Sequence, residues 1–354
     1  PAEPRRGREV RSPAMADEVL QRFSAPVREW FSTTFAVPTA AQARGWPAIA
    51  DGDHTLLLAP TGSGKTTTAF LWALDRLTAA PPPEEPGERL RVLYISPLRA
   101  LAVDVDRNLR APLEGIRLAG ERLGLPVHRP EVAVRTGDTP ARERERMKRH
   151  PPDVLITTPE SLYLLLTSQA RETLRGIEAV IVDEIHALAP TKRGTHLALS
   201  LERLEHEVCH GGDGPPRPPP QRIALSATQR PLEEIARFLG GYGDDGHPRP
   251  VTIVDAGSTK PLELEIVVPV EDMADLGQPV ERGLELELAS GPAAAGPARR
   301  SIWPAVHPRL LELVLAHRST LIFVNARRLA ERLAAKLNEL HAEQERERRL
   351  RAEG

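Results

Sequence analysis

Ala59-Pro60-Thr61-Gly62-Ser63-Gly64-Lys65-Thr66 lies between an apolar run, Thr55-Leu56-Leu57-Leu58, and a helix-like run over residues 67–77. Strand, glycine-rich turn and helix in that order mark a phosphate-binding loop. Gly62 and Gly64 let the backbone bend tightly and bring its N–H groups close to phosphate oxygens. The helix N-terminus behind them adds the positive end of its dipole. Thr61, Gly62, Ser63, Gly64, Lys65, Thr66 and Thr67 are therefore the candidate nucleotide-binding residues. Lys65 is suited to reach the β and γ phosphates, and the Thr66 hydroxyl to bind Mg²⁺. Ala59 stands where the general pattern has glycine, so the loop is a variant. A chance turn before a surface helix is the bland alternative, and the flanking elements disfavour it.

Downstream, Ala179-Val180-Ile181-Val182 delivers two adjacent carboxylates, Asp183 and Glu184, at the end of an apolar strand. Asp183 suits Mg²⁺ held through water, and Glu184 suits a water poised for in-line attack on a γ phosphate. Such a pair also ends surface strands; with Lys65 upstream it becomes specific. His186 follows and links this end to whatever lies across the cleft. Upstream of the loop, Pro38 stops one helix and Thr39 caps the next. Gln42 on that helix can pair with adenine N6 and N7, where an isolated Gln would simply be a solvated helix residue.

Further runs repeat the pattern of strand, polar turn, helix: 91–95 before Ser96 and Arg99, 132–134 before Thr136 and Gly137, and 153–157 before Thr158 and Ser161. In open parallel sheets ligands collect at the carboxyl ends of strands. Ser96 and Arg99 suit a nucleic-acid phosphate there, although a helix cap with a solvated arginine reads nearly as well. Thr157, Thr158 and the helix start after them suit a second phosphate. The run 142–149 alternates arginine and glutamate and reads as a solvated helix. Residues 221–225 form a strand ending at Ser226-Ala227-Thr228, whose hydroxyls can contact His186 or Glu184. Residues 251–254 read as the last strand of the first domain, 262–268 as an alternating strand, 320–325 as a buried strand and 326–340 as an amphipathic helix. Residues 18–31 carry helical spacing.

The chain has 354 residues, too many for one compact core. Hydrophobic content of 40% and charged content of 27% fit a globular protein rather than a disordered one. A net charge of −2 means any nucleic-acid surface is local. One cysteine, Cys209, excludes an internal disulfide framework. No apolar run approaches the length of a membrane span, so a cytoplasmic location and no membrane partner are expected.

In chain order, Gln42, residues 59–66, 96–101, 157–162, 183–186, 226–228 and 321–325 resemble the motifs of superfamily 2 helicases. Residues 182–188, 23–31 and 301–304 resemble the Lhr (large helicase-related) branch. The resemblance implies an α/β fold: a RecA-like doubly wound parallel sheet of the P-loop NTPase kind, plus the start of a second such domain. The expected plan is a disordered extension over 1–16, a first RecA-like domain over 17–256, a connecting segment over 257–304, and the beginning of a truncated second domain over 305–354. It further implies a DNA-stimulated ATPase moving 3′ to 5′ on single-stranded DNA, unwinding duplexes including RNA–DNA hybrids, with a role in DNA repair. ATP and Mg²⁺ are the implied cofactors. Lys65, Thr66, Asp183 and Glu184 are implied in hydrolysis, Gln42 in adenine reading, and His186, Ser226 and Thr228 in coupling. Ser96, Arg99, Thr136, Gly137, Thr158 and Ser161 fall in segments that contact the strand. The family pattern also needs arginines from a complete second domain, and nothing after Asn325 supplies them. An ATP-binding fragment, hydrolysing weakly alone, is expected; a P-loop switch or a nucleic-acid module without unwinding is the alternative.

Overall fold

The computed structural model describes residues 18–60, 62–212, 214–227, 231–243, 245–257, 264–267 and 303–353. Thr61, Thr228, the 1–16 extension and most of 257–304 therefore lie outside the described residues. The chain divides into two compact units, Pro1–Lys260 and Pro261–Gly354.

Seven parallel strands form the first unit's sheet: β1 Thr55–Leu58, β2 Val92–Ile95, β3 Val132–Arg135, β4 Val154–Thr157, β5 Ala179–Val182, β6 Gln221–Ser226 and β7 Thr252–Asp255. Their spatial order is β3-β4-β2-β5-β6-β1-β7. A parallel sheet is covered on both faces, so its strands read as continuous apolar runs rather than alternating ones. Strands β1, β2, β4 and β5 are buried at every position. Pleating then sends successive side chains to opposite layers. Leu56 and Leu58 join one core, with helices α6 Pro159–Leu166, α7 Ile185–Leu188, α8 Lys192–His210 and α9 Leu232–Gly240. Leu57 joins the other, with α2 Ala40–Ala50, α3 Lys65–Ala79 and α4 Arg99–Leu123. This is the doubly wound α/β architecture of RecA-like domains. Helix α5 Ala141–Arg149 has no buried residue, the solvated helix its sequence announced.

A third cluster lies ahead of the phosphate loop. Phe23, Phe31 and Trp46 meet edge to face at ring separations of 4.9 and 5.4 Å. Trp46 is fully buried, and its Nε1–H donates to the Thr68 carbonyl at 3.2 Å. That bond ties α2 to α3, the helix that begins at Lys65. Residues 18–31 do not form one helix. Residues 21–24 turn, and helix α1, Ala25–Thr34, starts afresh with Pro26 in its first turn. A proline in the first turn forfeits no intrahelical hydrogen bond, since the N–H it lacks has no partner there.

In the second unit, α10 Trp303–Ala316 packs on α11 Arg327–Glu353, with Leu311 and Leu333 buried. The strand expected at 320–325 is absent: these residues are irregular, with Leu321 81% and Phe323 89% exposed. A strand persists only by pairing, and among the described residues of this unit no strand lies beside it. The described part of the strand expected at 262–268, residues 264–267, is likewise unpaired, with Leu264 and Ile266 exposed. No described helix is long and apolar enough to cross a membrane.

Candidate nucleotide and nucleic-acid site

The phosphate loop leaves the carboxyl end of β1 and closes on α3. Gly62 and Gly64 hold left-handed backbones, φ +78° and +83°, that side-chain-bearing residues avoid. The Ser63 hydroxyl donates to the Pro60 carbonyl at 2.6 Å. Gly64 occupies the cap position of α3, and a Cβ there would lie 3.0 Å from Gln42 Nε2. Gln42, on α2, is thus packed against the loop. Its side-chain oxygen accepts the Thr39 N–H at 2.8 Å while the Thr39 hydroxyl accepts the Gln42 N–H, a reciprocal capping box. Lys65 is buried, and its Nζ donates to the Ser226 carbonyl at 3.2 Å. Thr66 and Thr67 follow on the first turn of α3, half-buried.

Strand β6 separates β1 from β5, with Leu58 opposite Ser226 and Ala224 opposite Val182. Asp183 and Glu184 therefore emerge on one side of Ser226 and the phosphate loop on the other. The Asp183 Oδ1 accepts the Glu184 N–H at 2.9 Å, and Oδ2 accepts the Tyr94 hydroxyl. Tyr94 lies in β2, fully buried and stacked on Phe70 at 5.0 Å. Burial, then the Asp183 charge and hydrogen bond, push its phenol far above the usual range, so it stays a donor. Glu184 turns the chain with φ +46°. Its Oε2 lies 3.4 Å from His186 Nε2. The other ring nitrogen, Nδ1, accepts the Ala227 N–H at 3.3 Å and lies 3.3 Å from the Ser226 hydroxyl. Accepting at Nδ1 puts the proton of neutral His186 on Nε2, facing Glu184. Lys65, His186 and Glu184 are thereby joined through Ser226 and Ala227.

The residues fit Mg²⁺. Thr66 and Asp183 offer oxygen ligands only, the hard donors this ion takes. Each Asp183 oxygen accepts one protein donor and keeps a lone pair free. No group of three or more His, Cys, Asp or Glu side chains converges on a point among the described residues.

The strand-contact candidates line the exits of β2, β3 and β4. Ser96 is buried and donates to the Leu98 carbonyl at 3.0 Å, so its hydroxyl shapes the turn. Arg99, after β2, is exposed and grips Asp138, after β3, at 2.6 and 2.7 Å, with β4 between those two strands. Thr136 accepts the Asp138 N–H at 3.3 Å, and a Cβ on Gly137 would meet the Arg99 guanidinium at 2.8 Å. Thr158 caps α6, its hydroxyl 3.2 Å from that of Ser161. Four of the six candidates thus hold the loops in shape; Arg99 presents charge and Gly137 makes room for it. Tyr94 and Arg193 belong to this end of the sheet and escaped the sequence. Tyr94 is signalled only by a lone hydroxyl in an apolar strand, and Arg193 by nothing periodic.

A family model described as DEAD/DEAH box helicase matches residues 39–235. "Lhr helicase/ probable uracil glycosylase" of Mycolicibacterium smegmatis is 54% identical over 92% of this chain and 19% of its own length. "Lhr helicase/uracil glycosylase" of Escherichia coli is 49% identical over 90% of this chain and 20% of its own. The chain thus spans about a fifth of these curated relatives. The structure of Mycobacterium smegmatis helicase Lhr bound to ssDNA and AMP-PNP superposes with a TM-score of 0.70 at 52% identity, over 92% of this chain and 37% of that one. The DEAD-box helicase Mss116, at 15% identity and a TM-score of 0.53, shares the fold alone. A phosphate loop and an Asp-Glu strand end set around one serine, a helicase family match across them, and Lhr proteins as relatives together make this chain a member of the DEAD/DEAH box helicase family, of the Lhr type.

Proposed function

We propose that this chain carries the ATP-binding part of an ATP-dependent helicase or translocase acting on single-stranded DNA. The observation that carries the reading is the meeting of Lys65, Asp183–Glu184 and His186 around Ser226. Residues 62–67 cradle the phosphates, and Lys65 exchanges the Ser226 carbonyl for a phosphate oxygen. Gln42, against Gly64, offers its amide to adenine. Thr66 and Asp183 would hold Mg²⁺, which would supply charge neutralisation to the nucleotide's phosphates. Tyr94 fixes the Asp183 carboxylate from below. Glu184 orients the attacking water, and His186 relays its state to Ser226 and the backbone after β6. Thr228 extends that coupling.

On the strand side Arg99 meets phosphate, with Thr136, Gly137, Thr158 and Ser161 shaping the exits and Ser96 the turn before them. Phosphate contacts of this kind position a strand without reading its sequence. Movement from 3′ to 5′, unwinding of RNA–DNA hybrids and a part in DNA repair extend the proposal by family likeness. So does the domain plan, with residues 17–256 as the first RecA-like domain, 257–304 connecting, and 305–354 beginning a second. In that plan the second domain supplies arginines to the phosphates, each worth orders of magnitude in phosphoryl transfer. The test is Glu184→Gln in a version extended through the residues that follow in the longer relatives. It keeps wild-type ATP affinity and loses at least about 100-fold in hydrolysis; undiminished turnover contradicts the role given to Glu184.

A further inference from the structure

A cleft of about 470 Å³ opens between the exits of β2 and β4, lined by Pro97, Leu98, Arg99, Thr158, Glu160 and Arg193. Arg193 reaches it from the first turn of α8, a helix whose start is fixed by its neighbours. The Thr191 hydroxyl caps that start by accepting the Gly194 N–H at 3.2 Å. Gly194 brings the turn against α7: a Cβ there would lie 2.1 Å from the Leu188 carbonyl oxygen. The Arg193 side chain then bridges two loops. Its Nη2 donates to the Pro97 carbonyl at 3.0 Å and its Nε to Glu160 Oε1 at 2.6 Å. Arg193 and Glu160 are each roughly half exposed, 45% and 56%. Nη1 has no protein partner among these contacts, and a guanidinium fork takes phosphate in two parallel bonds.

Glu160 is itself an anion in the first turn of α6, where helix N–H groups favour negative charge. It occupies the electrostatic place a phosphate would take beside the Thr158 cap. Arg99 is held in the same way by Asp138 at the exit of β3. Both cations of this rim are therefore paired with neighbouring carboxylates. Exposed ion pairs of this kind are weak, so an incoming phosphodiester can displace the carboxylate.

We propose that Arg193 is a phosphodiester contact of the strand face, and that Glu160 competes with the strand for it. This rests on the strand-binding reading above. The experiment is fluorescence anisotropy of a labelled single-stranded oligodeoxythymidylate with this chain, across a salt series. Glu160→Gln removes the competitor and keeps the shape of the loop; it binds the oligonucleotide severalfold more tightly than wild type. Arg193→Ala binds about tenfold more weakly, and its slope of log affinity against log salt is smaller in magnitude by about 0.7, the loss of one phosphate contact on a single strand. Arg193→Lys, a charge without the fork, falls between. Glu160→Gln binding no tighter than wild type overturns the proposal, as does Arg193→Ala with an unchanged salt slope. If those variants match a wild type that binds, the strand-binding reading stands and the competition does not. A wild-type chain that binds no single strand overturns both.

Discussion

Glu184 carries its carboxylate on a left-handed backbone, φ +46°, the one such non-glycine residue among those described. That conformation costs a side-chain-bearing residue about 1–2 kcal/mol. The cost is tolerated because the turn aims the carboxylate out of the strand end toward His186. Glu184→Gly should therefore resist urea as well as wild type, or better by up to about 1 kcal/mol, while hydrolysis is lost. Marked destabilisation would mean that Glu184 serves the fold. Tyr94 works in the opposite sense, stabilising a charge rather than storing strain. Tyr94→Phe leaves Asp183 Oδ2 without its donor and should lower the unfolding free energy by about 1.5–3 kcal/mol, the range for bonds to charged groups. An unchanged urea midpoint would remove Tyr94 from the site. At this scale the sequence was uneven. Gly62, Gly64, Lys65 and the Asp183–Glu184 pair were legible because their chemistry needs fixed spacing along the chain. Tyr94 was not, because its partner is 89 residues away and only the pairing of β2 with β5 brings them together.

Between elements, the amino end of the sheet holds a second polar cluster, remote from the nucleotide. Arg222, at the start of β6, is fully buried and bonded to Glu202 at 2.9 Å, Glu205 at 2.7 Å and the Leu239 and Gly240 carbonyls at 3.1 Å. Arg249 binds the same two glutamates. The cluster rivets α8 and α9 to β6. Its backbone N–H at Arg222 donates to His54 Nδ1 at 3.0 Å, just before β1. Burial, then the charges of Arg222 and Arg249, hold the His54 pKa down at about 4, against the opposite pull of Asp53 and Glu202. The unfolded chain takes up that proton near pH 6.5 and the folded chain only near 4, so stability falls as pH drops through this window. The loss is on the order of 2 kcal/mol after discounting for partial exposure. Comparing urea midpoints at neutral pH and near pH 4.5 for wild type and His54→Asn should give a shallower pH slope in the variant. Parallel slopes would contradict the role of His54. The seven strands of the sheet were readable as apolar runs, while the similar runs at 264–267 and 321–324 are no strands. An apolar run states that a segment wants cover; whether it finds a neighbouring strand is decided elsewhere in the chain.

Across the whole molecule, the candidate chemistry gathers at the carboxyl ends of β1, β6 and β5 for the nucleotide and of β2, β4 and β3 for the strand. One sheet thus presents two candidate sites at the carboxyl ends of its strands, with Ser226 and His186 at the nucleotide end and the Arg99–Arg193 cleft at the other. Order along the chain made this plan legible, since each motif follows its strand. Arg193 was not legible, because it reaches the rim from a helix start that follows no motif spacing. The chain spans about a fifth of its curated relatives, and what is proposed for it is ATP binding and part of a strand face. The most direct measurement is ATP hydrolysis by this chain, with and without single-stranded DNA, beside a version extended through the residues that follow in the longer relatives. Both are expected to bind ATP with Mg²⁺ in a Lys65-dependent way, and only the extended version to hydrolyse it briskly and respond to DNA. Robust DNA-stimulated turnover by this chain alone, or an extended version indifferent to DNA, would contradict this.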